Sequence, residues 1–137
     1  MIRKEELRDL AERLIHWSKK HFTYPWYGEG ARGNGSCIPV YQYTSGGKKA
    51  EIFPFSLYAY SSGTVEIGFQ HLIKRSPFDK PELRLEFLKK LNVIPEVNIS
   101  EDKIKLRPSF PLSVLKNHQA FQQFTEAVEW VLRVCGG

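Results

Sequence analysis

Apolar residues recur at three- and four-residue spacings near the N-terminus, where Leu7, Leu10, Ala11, Leu14 and Ile15 fall on one stripe. Arg3, Glu5, Arg8, Glu12 and Lys19 take the other faces, so residues 3–21 read as an amphipathic helix. Pro25 biases Tyr24 away from helical backbone and ends that helix by about Thr23. Residues 22–36 then lose all periodicity. An aromatic run, Phe22-Thr23-Tyr24-Pro25-Trp26-Tyr27, leads into Gly28, Gly30, Gly33 and Gly35, four glycines in eight residues, and the stretch reads as a loop.

From Cys37 to Gln70 the period changes to two. Ile38, Val40 and Gln42 alternate with Pro39, Tyr41 and Tyr43, a Ser45–Lys49 turn follows, and two further strands are expected over Glu51–Tyr60 and Thr64–Phe69. Phe53, Phe55, Leu57 and Ala59 would share one face of the middle strand, and Val65, Ile67 and Phe69 one face of the third. Pro39 and Pro54 interrupt hydrogen bonding, so each is expected at an edge or a bulge.

Pro81 opens a second helix reaching about Leu91. Val97–Arg107 reads as a short hairpin turning at Glu101-Asp102 with Ile104 and Leu106 inward, and Pro108–Leu112 as a stiff connector. Phe121, Phe124, Val128, Val131, Leu132 and Cys135 mark one stripe of a last helix over 117–135, with Asn117 as its N-cap. The expected fold is a single α+β domain spanning 1–137. A small antiparallel β-meander of three to five strands packs against N- and C-terminal helices.

Composition narrows the function classes. Hydrophobic residues make up 42% and charged residues 26%, which suits a globular core rather than disorder. The net charge of +5 favours polyanionic partners, yet the stretches 1–35, 36–80 and 81–137 carry +2, +2 and +1, so no block concentrates it. Two cysteines make neither a disulfide framework nor a metal knuckle. The opening Met1–Glu6 lacks the apolar core of a signal peptide, and no stretch reaches the length of a membrane helix. A cytoplasmic location and no membrane partner are therefore expected.

Gly28-x-Gly30-x-x-Gly33 has the spacing of a dinucleotide fingerprint, but no strand precedes it and no helix follows, and no Gly-Lys-Ser/Thr closes a phosphate loop. What remains is a backbone anion nest, with Gly35 beside it and Arg32 and Ser36 adding a charge and a hydroxyl; a plain structural loop is the other reading. Trp26, Tyr27, Tyr41, Tyr43, Tyr58 and Tyr60, with Lys48 and Lys49 near in sequence, suit a surface that stacks bases. The same rings equally suit a second layer beneath the helices. His16 and His21 are five apart and miss the ligand spacing, while His71 and His118 are isolated, so no metal or cofactor is expected. Cys37 lacks a nucleophile signature, and neither Glu51 nor Glu66 is followed two residues later by lysine, as a nuclease strand would require. Glu29, Glu51 and Glu66 form a metal site only if the fold gathers them.

Trp26-Tyr27-Gly28-x-Gly30, Gly35-Ser36 before a strand with Pro39, Ser61–Val65 and Pro108–Leu112 together resemble small bacterial and archaeal domains, some of which accompany restriction or DNA-repair nucleases. The likeness spans most of the chain, and its motifs are structural. It implies an accessory nucleic-acid-binding role and carries no catalytic residue. The expectation is thus a non-catalytic module contacting nucleic acid or another polyanion through the glycine loop and a basic, aromatic sheet surface. A protein-interaction or dimerisation domain and a small enzyme with its site at the glycine loop are the alternatives.

Overall fold

The N-terminal periodicity builds the first element as read. In the computed structural model, which describes residues 4–29, 35–58 and 63–136, helix α1 spans Lys4–His21 and buries Leu10, Ala11 and Leu14. Glu5 and Glu6 in its first turn and Lys19, Lys20 and His21 in its last complement the helix dipole.

Six strands follow, one more than the upper expectation: β1 (Tyr24–Glu29), β2 (Gly35–Ser45), β3 (Lys48–Ile52), β4 (Phe55–Tyr58), β5 (Thr64–Ile67) and β6 (Ser109–Pro111). All pairs are antiparallel in the order β1-β2-β4-β5-β6, with β3 on the far half of β2. The expected loop over 22–36 is corrected by β1, which pairs with β2 from Tyr24↔Val40 to Glu29↔Gly35. The aromatic run has strand propensity of its own, and its proline finds a position that needs no donor. Pro25 faces Pro39 across the ladder. Neither has an N–H, so this must be a non-hydrogen-bonded pair, with the bonded pairs at Tyr24↔Val40, Trp26↔Ile38 and Gly28↔Ser36.

Gly46 and Gly47, both with positive φ, make the two-residue turn between β2 and β3. The middle strand expected over 51–60 is split at Phe53-Pro54. β2 pairs with β3 through Tyr41↔Ile52 but with β4 through Cys37↔Leu57, so four steps on β2 face five on its partner. That extra residue is a bulge, and it explains Pro54. Phe69 leaves the strand and opens a short helix, α2 (Phe69–Leu72), although its ring stays fully buried. The chain turns there because Gly68 donates to the Pro54 carbonyl at 2.9 Å, and a Cβ at Gly68 would sit 2.8 Å from the Phe53 carbonyl oxygen.

Helix α3 (Pro81–Asn92) begins at its proline as expected. The hairpin expected over Val97–Arg107 does not form. Side chains hold this segment instead: Asn92 bonds both backbone groups of Ile99, at 2.8 and 2.9 Å, and the buried Arg84 donates to the carbonyls of Phe78, Asp79 and Ile104. Ile104 is half-buried and Leu106 is exposed, contrary to its inward expectation. The stiff connector contains β6, which extends the sheet beside β5. Helix α4 (His118–Gly136) is capped by Asn117 Oδ1, which accepts from the Ala120 N–H at 3.1 Å.

Strand alternation then separates two faces. Cys37, Leu57, Val65 and Phe110 lie in one cross-strand row and are all buried under the helices. On the opposite face Trp26, Ile38, Ser36, Tyr58, Thr64 and Ser109 are partly or fully exposed, while Val40 and Ser56 are buried. On the covered side Phe124 of α4 meets Phe55 and Phe110 edge-on, with ring centroids 5.1 and 5.9 Å away. Phe124→Ala is expected to lower stability by about 3–5 kcal/mol. Exposed Glu126→Ala, two residues on, should stay within about 0.5 kcal/mol in the same urea titration.

Candidate functional site

The sequence-level site residues fall at opposite ends of the sheet. Trp26, Tyr27, Gly28, Gly35 and Ser36 stand at one end of the β1–β2 hairpin, while Lys48 and Lys49 stand at the β2–β3 turn. Gly35 and Ser45 are the ends of β2, and ten strand steps separate them by roughly 30 Å. One anion site cannot use both groups. Gly30, Arg32, Gly33 and Tyr60 lie outside the described residues.

The tyrosines are divided as well. Tyr41 and Tyr43 share the helix-covered face, stacked on each other with centroids 6.2 Å apart. Tyr43 is buried, its hydroxyl donates to the Ser76 carbonyl at 2.6 Å, and burial pushes its pKa up to about 12. Tyr58 points to the opposite face, as does Trp26. Gly28 has a packing role, since a Cβ there would overlap Ser36 Oγ and approach the Trp26 ring at 2.9 Å. Between α1 and the strands beside Gly28 and Gly35 lies a cavity of about 490 Å³, with Leu7, Ala11, Ile15 and Leu57 in its wall and Lys4, Arg8 and Glu12 among its lining.

The β3 end gathers charge that the sequence order conceals. A groove of about 730 Å³ is lined by Gln42, Tyr43, Thr44, Lys49, Ala50, Glu51 and Arg75. Arg75 Nε donates to the Glu51 carbonyl at 3.0 Å, and its terminal nitrogen donates to the Lys74 carbonyl at 3.3 Å. The first of these bonds docks the turn after α2 against β3 and brings Arg75 to the groove that Lys49 lines. Glu51 lines the same groove, and Asp79 is the other carboxylate near this corner. Hydrogen bonds from Gln42 Nε2 at 3.0 Å and the Tyr24 hydroxyl at 2.7 Å hold the Glu51 carboxyl below the usual range. Lys74 and Arg75 are the residues sequence reasoning missed. Their only signal was one dibasic pair among several along the chain.

His71 adds no charge to this corner. Its ring stacks on Phe53 with centroids 3.6 Å apart, Nε2 is buried with no partner, and burial, aided by the charges of Arg75 and Lys74, lowers its pKa to about 4.

Acid–base and nucleophilic chemistry find little to work with. Burial raises the Cys37 thiol to about 11 and the Cys135 thiol to about 12, far from a reactive thiolate at neutral pH. Glu66 Oε1 lies 3.7 Å from Arg107 Nε, and His21 lies 3.7 Å from Glu129. No group of three or more His, Cys, Asp or Glu among the described residues is placed to hold a metal ion. Among the same residues no helix is long and apolar enough to cross a membrane.

No protein-family model, curated protein or solved structure matches the chain. The site's reading therefore rests on its own geometry.

His71 sets a pH dependence with a defined sign. Its folded pKa of about 4 lies below the unfolded value of 6.5, so between those limits the unfolded chain binds more protons. Its contribution is fully present above about pH 6.5 and is lost as pH falls through about 4. His71→Phe, which keeps a ring on Phe53, is expected to flatten that part of the profile in urea titrations across pH 4–7.

Proposed function

We propose that the protein is a non-catalytic binding module for polyanions, foremost the phosphate backbone of nucleic acid, and that it binds through the groove between β3 and the turn after α2. The observation that carries this reading is the Arg75–Glu51 backbone bond, because it brings Arg75, from the turn after α2, to the groove lined by Lys49 of β3. Phosphates need cations held at a shared surface rather than spread around the molecule; Lys49 and Arg75 supply that surface, and Lys48 and Lys74 are their exposed chain neighbours. Thr44, exposed on β2, adds a neutral donor along the same groove. The open sheet face supports the reading less. It carries Glu51 and Glu66, and its Arg107 is engaged by Glu66.

The role is contact rather than turnover. The two thiols are held protonated, and the best-placed carboxylate, Glu51, is occupied by Tyr24 and Gln42.

Fluorescence anisotropy of labelled duplex DNA, titrated with protein at several salt concentrations, tests the proposal. Each neutralised phosphate contributes about −0.9 to the slope of log K against log salt, so four contacts give a slope of roughly −3.6. Lys48→Ala/Lys49→Ala is expected to bring it to about −1.8. Lys89→Ala/Lys90→Ala, on α3, should leave it unchanged. Absence of binding at low salt, or equal losses from both double variants, overturns the reading.

A further inference from the structure

Among the described residues β1, β3 and β6 each have one side without a partner strand, and these edges are protected unequally. The outer edge of β3 carries Lys48, Lys49 and Glu51, all exposed, and charge of this kind deters strand addition. β6 is three residues long and ends in Pro111. β1 has six residues, Tyr-Pro-Trp-Tyr-Gly-Glu, with no lysine or arginine. It also carries three of the exposed large hydrophobic side chains: Tyr24, Trp26 at 54% and Tyr27 at 55% exposure. A natural edge strand of this length and character normally has a neighbour.

The proline pair fixes what that edge offers. Because Pro25↔Pro39 is a non-bonded pair, the backbone groups of Pro25, Tyr27 and Glu29 point away from β2. The free edge therefore presents N–H groups from Tyr27 and Glu29 and carbonyls from Pro25, Tyr27 and Glu29. This set is complementary to itself under two-fold rotation about Tyr27. Tyr27 exchanges both its bonds with Tyr27 of the other copy, and Glu29 N–H donates to the Pro25 carbonyl of the other copy. Both outward donors on each strand are satisfied, and the Glu29 carbonyl, which Pro25 has no N–H to reach, is left to solvent at each end of the pairing. In that register Trp26 stands opposite Gly28 of the other copy, a large ring beside a residue without a side chain.

We infer that β1 pairs antiparallel with β1 of a second copy of this chain, joining the two sheets across an axis through Tyr27. The occupant is a like strand because the edge supplies its own hydrogen-bond complement and bears no cationic guard. This interface is separate from the basic groove, which lies at the other end of β2.

Sedimentation equilibrium over a wide concentration range tests the inference. The mass of the wild-type chain is expected to rise from 15.9 kDa toward twice that value as concentration increases. Tyr27→Pro removes one outward donor and leaves the β1–β2 ladder intact, as Pro25 already does two residues earlier. It should remain at the monomer mass with an unchanged circular-dichroism spectrum. Tyr27→Cys, made together with Cys37→Ser because Cys37 stands directly opposite Tyr27 on β2, supplies a second readout should the proline variant fail to fold. The axis places the two introduced thiols within disulfide reach, so mild oxidation should give a covalent dimer that the native chain does not form. A wild-type mass of 15.9 kDa at every concentration, or a Tyr27→Cys/Cys37→Ser chain that stays uncrosslinked, overturns the inference.

Discussion

The structure depends on one backbone constraint: β2 must serve three partner strands with a proline in its middle. Pro39 has no donor for either side, and the fold places it where neither side asks for one. Toward β1 it stands in a non-bonded pair opposite Pro25. Toward the other side it falls between the β4 contacts at Ser36 and Cys37 and the β3 contacts that begin at Tyr41. The Phe53-Pro54 bulge absorbs the one-residue difference between those two registers. A slip of one residue by β1 along β2 would set Pro25 against a bonded position and turn Tyr24, Trp26 and Gly28 to the other face, so the register is strongly specified.

From that register the rest of the molecule follows. Odd-numbered positions of β2 face the helices, which is why Cys37 and Tyr43 are buried, while Ile38 and Gln42 face the other way. Beyond the bulge, the turn after α2 docks on β3 through Arg75 and on β2 through Tyr43. The groove lined by Lys49 and Arg75 lies at that junction.

Elements driven by local periodicity were legible in the sequence: α1, α3, α4 and the alternating core of β2–β5. The Asn117 cap was legible too, since its chemistry is local. β1 was obscured because glycines and proline in one short window outweigh strand-forming aromatics when the opposite strand is unknown. The Val97–Arg107 segment misled for a related reason. Its alternation exists, but Asn92 and Arg84 supply the hydrogen bonds that a hairpin partner would have made. Only part of the candidate site could be read, as Lys49 and Tyr43 carry sequence signals, whereas Arg75 reaches the groove by a tertiary contact. The tyrosines could not be assigned to one surface because a ring in an alternating strand is compatible with either face.

Amide hydrogen exchange along β1, measured on dilute protein, addresses the constraint itself. The Tyr24, Trp26 and Gly28 amides bond into β2 and are expected to exchange slowly, while the Tyr27 and Glu29 amides, aimed at the free edge, exchange quickly. Uniform protection along the strand, or slow exchange at Tyr27 beside fast exchange at Trp26, would contradict the proline pairing and the sheet built around it.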